Sequence, residues 1–283
     1  MAVHYDAAHI AGFFDAYAER EWLRFEKSAL DRAGLHLHLH YLKQFIEPGM
    51  RVLDAGAGPG RFTAELIRLG ARVTVGDISP VQLEHNRRRL EEAGLEHGVE
   101  SRQPLDITDL SRFADATFDA VLCYGGPISY VMDRADEAVA ELLRVVKPGR
   151  RLLLSVMSKI GATRISLPGV LRLARLHGPQ FIEEVVQTGL LSGEANHGHA
   201  MKMYTWSELQ ALIERHGGEV VAASASNHLT TFGGEGSEVV EDLWEGEPDL
   251  WRQLLDWEVR LCAEPGNLDG GTHIIAIVMR PAG

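Results

Sequence analysis

The sequence predicts an α/β fold built around a doubly wound sheet. Two observations carry this reading. Short apolar runs alternate with longer amphipathic stretches from residue 51 to residue 157. The first run also ends in a glycine-rich turn, Asp54-Ala55-Gly56-Ala57-Gly58-Pro59-Gly60, that leads straight into a helical stretch. Right-handed crossovers between parallel strands then place helices on both faces of the sheet.

Residues from about Ile10 to Ile46 read as helices with a break near Gly34, and the second piece stops at Pro48-Gly49. Arg51 to Asp54 is a short buried strand, and Arg61 to Leu69 is a helix closed by Gly70. Arg72 to Val75 is the second strand and ends at Gly76-Asp77. Ser79-Pro80 opens the next helix, with Ser suited to the cap and Pro to the first turn, and that helix runs to Gly94. Val99 to Arg102 is a third strand. Phe118 to Cys123 is a fourth, apolar on both faces as expected near the centre of a parallel sheet. Ala135 to Val146 is a helix ended by Pro148-Gly149, and Arg151 to Met157 is a fifth strand. There the alternation stops. Ser158 to Met203 reads as an inserted cap with two helices, and Thr205-Trp206-Ser207-Glu208 starts another helix. Glu219 to Ser224 and His273 to Arg280 are two late strands, with a helix from about Val239 to Leu261 between them. The expected organisation is one domain: an N-terminal helical segment (1–48), a cofactor-binding core (49–157), the cap (158–204) and the C-terminal part of the sheet (205–283).

The 283 residues are 45% apolar, enough to fill a core, and carry a formal net charge of −12. That charge opposes a phosphate backbone, so a small-molecule substrate is expected rather than nucleic acid. The densest basic cluster, Arg87-Arg88-Arg89, stands beside Glu84, Glu91 and Glu92 and reads as a solvated helix face. Two cysteines make no disulfide framework. No stretch approaches the ~18 apolar residues of a membrane span, and the N-terminus has no basic region followed by an apolar run. The expected location is cytoplasmic, with no membrane partner. Oligomeric state has no signal in the sequence.

The glycine turn is the most informative stretch. Glycines let the backbone turn sharply and approach a ligand closely, and the following helix start offers free amide donors to an anionic group. A dinucleotide fingerprint, G-x-G-x-x-G, would put its third glycine where Arg61 stands. The chain has G-x-G-x-G instead, preceded by Asp54. Asp77 lies 21 residues after Gly56 at the end of the second strand, where a carboxylate can accept both hydroxyls of a ribose. Asp106, with Asp109 as a rival, follows the third strand.

This spacing resembles motif I and the next two sites of the class I S-adenosylmethionine (SAM)-dependent methyltransferases, over roughly Val52 to Met157. Phe118-Asp119-Ala120-Val121-Leu122-Cys123 and Val145-Val146-Lys147-Pro148-Gly149 are similar to that superfamily's fourth-strand and "LKPGG" segments, with Arg150 where Gly is usual. Tyr17-Ala18-Glu19-Arg20-Glu21-Trp22, the turn Gly233-Gly234-Glu235-Gly236 and the tail from Glu264-Pro265 to His273 look like a bacterial small-molecule subgroup. The resemblance implies a Rossmann-like sheet of seven strands with the last antiparallel. It implies SAM as cofactor, held by Asp54, Gly56, Ala57, Gly58, Gly60, Asp77, Ile78, Asp106, Ile107 and Tyr124, with Tyr17 and Trp22 closing over it. Asp106 would meet the adenine amino group.

The expected reaction is methyl transfer to a small molecule by in-line displacement, which needs orientation and sometimes a base but no metal. The loop Tyr124-Gly125-Gly126-Pro127-Ile128-Ser129-Tyr130 lacks the Asn/Asp-Pro-Pro-Tyr pattern of enzymes that methylate exocyclic or amide nitrogens. The catalytic residue is not fixed by the sequence. His199, His228 and His273 are candidates as bases, as is His197; Tyr124 is a candidate beside the sulfonium. His36 and His40 share a helix face while His38 points elsewhere, too few ligands for a closed metal site. A partly exposed helix face is expected there. Three alternatives stay open: other chemistry on the same SAM-binding fold, a non-catalytic SAM- or nucleotide-binding regulator, and an NAD-dependent oxidoreductase.

Overall fold

The computed structural model describes residues 4–193, 198–231 and 237–282. Helix α1 (Ala7–Tyr17) begins at Asp6, whose carboxylate accepts hydrogen bonds from the amides of Ala8 and His9. A single turn, α2 (Arg20–Leu23), precedes α3 (Ala29–Phe45), which is capped by Ser28. The break in this region therefore falls at residues 18–28, not near Gly34. Gly34 lies inside α3, where a glycine costs about 1 kcal/mol. Burial of Leu37 and Leu42 on the same helix outweighs that, at about 1.5–3 kcal/mol each.

The alternation then runs as expected through β1 (Arg51–Ala55), α4 (Arg61–Arg68), β2 (Arg72–Asp77), α5 (Pro80–Glu92), β3 (Val99–Pro104) and β4 (Phe118–Cys123). One further turn of helix, α6 (Pro127–Tyr130), follows β4, before α7 (Ala135–Val145). Strand β5 (Val146–Met157) starts earlier than Arg151: Val146 already pairs with Phe118, and the ladder shifts before resuming at Ala120 and Arg151. The cap has three helices among the described residues, where two were expected: α8 (Lys159–Ile165), α9 (Leu167–His177) and α10 (Pro179–Thr188). Pro168 and Pro179 each stand in a first turn, which proline favours, so they start new helices and split the segment. A short antiparallel pair, β6 (Leu190–Leu191) and β7 (Met201–Lys202), closes the cap.

Helix α11 (Trp206–Arg215) carries the reciprocal Thr205–Glu208 capping box. Strand β8 (Glu219–Ala225) precedes α12 (Ser237–Gly246) and α13 (Pro248–Cys262). The single helix expected from Val239 to Leu261 is interrupted because Pro248 has no amide to continue it. Strand β9 (His273–Met279) ends the sheet.

The seven strands order as β3-β2-β1-β4-β5-β9-β8, and β9 is antiparallel to both neighbours. The strand order reverses between β1 and β4, the switch point where such sheets open a crevice. Both faces are dry. Leu53, Val121 and Leu152 pack on one side with Val139 and Leu142 of α7 and Ile213 of α11. Val52, Leu122 and Leu153 pack on the other with Leu37 of α3 and Phe62 and Leu66 of α4.

Candidate active site

Strand β1 ends at Ala55, and the chain turns through Gly56, Gly58 and Gly60, with φ values of +80°, +52° and +95°. Two of these positions have no room for a side chain. A Cβ on Gly56 would stand 2.4 Å from Cγ of Pro127, and one on Gly60 2.9 Å from Nδ2 of Asn86. The Gly56 and Ala57 amides donate to the carbonyl of Gly76, tying the loop to β2. The Gly58 amide donates to Oδ2 of Asp77 at 2.8 Å, and the Ser79 amide donates to its Oδ1 at 2.8 Å. Asp77 is thus aimed by two backbone donors at the end of β2. Burial, opposed by those two donors, raises its pKa to about 6.

A cavity opens over the C-terminal ends of the central strands. Gly56, Gly58, Asp77 and Ile78 form one wall, and Leu105, Ile107, Tyr124 and Gly125 continue it. Tyr5, Ile10, Phe14, Glu21 and Arg24 roof it from the N-terminal segment. Six of the residues expected at the cofactor thus come together: Gly56, Gly58, Asp77, Ile78, Ile107 and Tyr124. The others stand apart. Ala57 and Gly60 shape the loop from behind. Asp54 is buried under the loop, where Oγ1 of Thr63 donates to its Oδ2 at 2.6 Å and burial raises its pKa to about 7. Asp106 accepts from the amide and hydroxyl of Thr108 through Oδ1, and the Tyr5 hydroxyl bonds it from the roof. Trp22 is not on the cavity wall. It is held between the guanidinium groups of Arg61 and Arg89, 3.9 and 4.1 Å from its ring; such cation–π contacts draw an indole into a clamp.

A second cavity of about 330 Å³ shares Phe14, Glu21, Arg24 and Tyr130 with the first and adds Phe13, Tyr17, Arg20, His199 and Met201. This vestibule is aromatic. The His199 ring stacks on Phe13 at 3.9 Å between centroids and meets Tyr130 at 4.4 Å. Burial pushes the His199 pKa down to about 4, so its imidazole is neutral near pH 7. Tyr17 stacks on Phe13 at 5.8 Å. Of the candidate bases, His199 alone is in a cavity wall here. The His228 amide donates to Glu258, and His273 is half-buried at the start of β9; neither lines the two cavities. His197 and the Gly233–Gly236 turn lie outside the described residues.

Three site residues had no sequence signal that singled them out. Glu21 and Arg24 pair at 3.1 Å, and both nitrogens of the Arg24 fork reach the Gly125 carbonyl at 3.4 Å. Only the i,i+3 spacing of opposite charges hinted at them. His38 is the third, and the expected partly exposed face is wrong for it: the side chain is 1% exposed. Its Nδ1 lies 2.7 Å from the Gly34 carbonyl, which fixes that nitrogen as the donor. Nε2 then accepts from the Ser155 hydroxyl at 3.1 Å, and Ser155 Oγ accepts from the Gly125 amide at 2.9 Å. The chain of bonds pins the loop after β4. It requires a neutral ring, and burial holds the His38 pKa near 4. No group of three or more metal-capable side chains gathers among the described residues.

The electrostatics favour a cationic ligand. Glu21 and Asp77 line the cavity, Glu21 and Asp15 stand close enough to raise Asp77 further, Asp77 in turn raises Asp54, and burial raises Glu21 as well. Arg24 is the one cation in that wall, and Glu21 already pairs with it. A pyrophosphate would face these carboxylates without compensation. A sulfonium with an ammonium group fits them, and the apolar run Ile78, Leu105 and Ile107 suits a purine face. The cavity holds about 80 Å³, against roughly 300 Å³ for even a small ligand pocket, so admission of such a molecule requires its walls to open.

Residues 52–149 match the methyltransferase-domain family. A demethylmenaquinone methyltransferase from Beutenbergia cavernae is 34% identical over 158 residues, covering 54% of this chain and 60% of that protein. A ubiquinone biosynthesis O-methyltransferase from Xanthomonas axonopodis pv. citri is 34% identical over 146 residues, covering 50% and 57%. The chain therefore spans three fifths or less of the length of these curated relatives. Among solved structures, the [4+2]-cyclase SpnF superposes with a TM-score of 0.63 at 17% identity over 100% of both chains. The 1,6-didemethyltoxoflavin-N1-methyltransferase of Burkholderia thailandensis, crystallised with S-adenosylhomocysteine, superposes at 0.57 with 18% identity, over 98% of this chain and 89% of that one.

Proposed function

We propose that this chain, whose residues 52–149 match the methyltransferase-domain family, is a class I SAM-dependent enzyme that transfers a methyl group from SAM to a small molecule held in the aromatic vestibule. One observation carries this reading. The cavity walled by Gly56, Gly58 and Asp77 shares Phe14, Glu21, Arg24 and Tyr130 with the vestibule, so cofactor and acceptor meet across one set of side chains.

When bound, SAM supplies an electrophilic methyl on a sulfonium, open to in-line displacement. The rest is done by the protein. Asp77 holds the ribose end, with its own oxygens set by Gly58 and Ser79. Glu21 and Asp77 favour positive charge in the cavity. Phe13, Tyr17, Tyr130 and His199 exclude water and seat a flat acceptor. Neutral His199 adds no opposing charge beside a sulfonium. The net charge of −12 supports a small molecule over nucleic acid as partner, and the two buried free thiols, Cys123 and Cys262, support a cytoplasmic setting.

Asp77→Ala is expected to weaken SAM binding about 10- to 100-fold, the range for a lost hydrogen bond to a charged group; isothermal calorimetry reads this directly. Unchanged affinity removes Asp77 from the site. The likeness to the [4+2]-cyclase over the whole of both chains keeps one rival in view, non-methyl-transfer chemistry on the same fold. Turnover with labelled SAM separates the two: release of S-adenosylhomocysteine is required by methyl transfer, and product formation without it belongs to the rival.

A further inference from the structure

The cap holds a third cavity that the proposed chemistry leaves unused. It measures about 540 Å³, within the ~300–1,000 Å³ range of small-ligand sites. Val170 and Leu173 of α9, Ile182 and Val185 of α10, and Met157 and Met203 beneath them give it an apolar lining. Thr163, Ser166 and Arg172 are its polar contributions, and no acidic residue lines it among those described. The two helices above it are thinly anchored: α9 has no buried residue, and α10 buries Val185 alone.

What the groove connects to identifies its occupant. Met201 lines both this groove and the aromatic vestibule. Tyr130, shared by the vestibule and the cofactor cavity, packs against the same cluster of Val185, Met201 and Met203 that floors the groove. The groove and the vestibule therefore adjoin across the Met201 side chain, so a chain that displaces this flexible thioether reaches from one into the other. An apolar chain suits it: apart from Thr163, Ser166 and Arg172 the lining is apolar or glycine, and the flexible thioethers at Met157, Met201 and Met203 adapt to a chain of varied shape. We propose that the cap groove binds an aliphatic chain carried by the acceptor. This rests on the vestibule being the acceptor site, and it extends that reading by giving the acceptor an aromatic head and an aliphatic tail.

The test is a series of 4-alkylphenols with butyl, hexyl and octyl tails, titrated by calorimetry into the chain of 283 residues. Affinity is expected to rise about fourfold per added methylene, the value of ~0.8 kcal/mol per buried CH₂, until the groove is filled. Gly169→Phe fills the groove from α9. An added Cβ at Gly169 meets nothing within 4 Å, so the backbone accepts the change. This variant is expected to bind all three phenols alike, at unchanged SAM affinity. Leu173→Asp gives the same outcome by charge, and retained SAM binding in either variant reports that it is folded. Affinity that ignores chain length in the unaltered protein overturns the proposal, as does a chain-length increment that persists in Gly169→Phe. So does sedimentation showing a dimer that Gly169→Phe dissociates, which assigns the groove to a second copy of the chain. Because these titrations need no turnover, failure of methyl transfer shows separately, as missing S-adenosylhomocysteine with the chain-length series intact.

Discussion

Asp54 and Asp77 end adjacent strands, and burial raises both carboxyls, yet only Asp77 reaches the cavity. The consequence for pH dependence has a definite sign. A carboxyl whose folded pKa lies above its unfolded value holds its proton better in the folded state, so its contribution to stability is fully present below about pH 4 and is lost as pH rises. For Asp54 that loss is complete as pH passes about 7, and for Asp77 about 6. His38 acts in the opposite direction: its depressed pKa gives stability present above about pH 6.5 and lost as pH falls toward 4. The Asp54 effect is isolated by difference. Asp54→Asn keeps an acceptor for Thr63 and removes the ionisation. Its melting temperature relative to the unaltered protein is expected to rise from pH 5 to pH 8 in the ligand-free state. A difference that stays flat across that range means that Asp54 is already ionised at pH 5. With Asp77 holding the ribose as proposed, SAM binding is expected to carry the reverse dependence and to weaken below about pH 6 as Asp77 takes up its proton. At this scale the sequence was readable where spacing mirrors strand geometry, as from Gly56 to Asp77. It was silent at His38, because the partner that buries it, Ser155, is 117 residues away.

At the scale of elements, the N-terminal segment decides access. Helix α1 is fastened to α5: Asp15 accepts from the Ser79 hydroxyl, and Nε2 of Gln82 donates to the carbonyls of Phe14 and Ala18. Ahead of α1, Tyr5 donates its amide to Asp133 and bonds Asp106 through its hydroxyl. On the reading that Asp106 meets an adenine amino group, Tyr5 and the cofactor would compete for one carboxylate. Tyr5→Phe removes the competitor. It is expected to tighten SAM binding by about 2- to 10-fold, the worth of one net hydrogen bond of ~0.5–1.5 kcal/mol, measured by calorimetry. A loss of affinity instead places the Tyr5 hydroxyl among the cofactor's own contacts. The elements themselves were legible wherever periodicity was uninterrupted, as in α5 with its Ser79-Pro80 start and in β4. They were misread where one residue outweighed the pattern. Pro248 split a helix that reads as continuous, while Gly34 failed to break one because its neighbours are buried in the core. The groove under α9 and α10 had no signal at all, since its walls come from segments that meet only in space.

For the whole molecule, topology and charge converge on the same crevice. The reversal of strand order between β1 and β4 places Gly56, Asp77, Leu105 and Tyr124 at neighbouring strand ends. The alternation that predicts this sheet was open to reading because the central parallel strands β1, β2 and β4 are covered on both faces and so are largely apolar, whereas the edge strand β3 is polar and partly exposed. Around the crevice the chain is acidic overall, at −12, and Glu21 and Asp77 face inward. SAM carries one more positive charge than S-adenosylhomocysteine, its product after methyl transfer. Under the proposed function, these carboxylates are expected to attract SAM more than S-adenosylhomocysteine, which favours exchange of the spent cofactor. Salt screens this difference, with a Debye length near 10 Å at 0.1 M and near 3 Å at 1 M. Raising NaCl from 0.05 to 0.5 M is expected to weaken SAM binding about two- to threefold more than S-adenosylhomocysteine binding, the size of one screened pair interaction of roughly 0.5 kcal/mol. Paired titrations at the two salt concentrations give the ratio. Equal salt dependence of the two ligands would mean that Glu21 and Asp77 do not sense the sulfonium charge, and the preference for a cationic cofactor would then rest on shape alone.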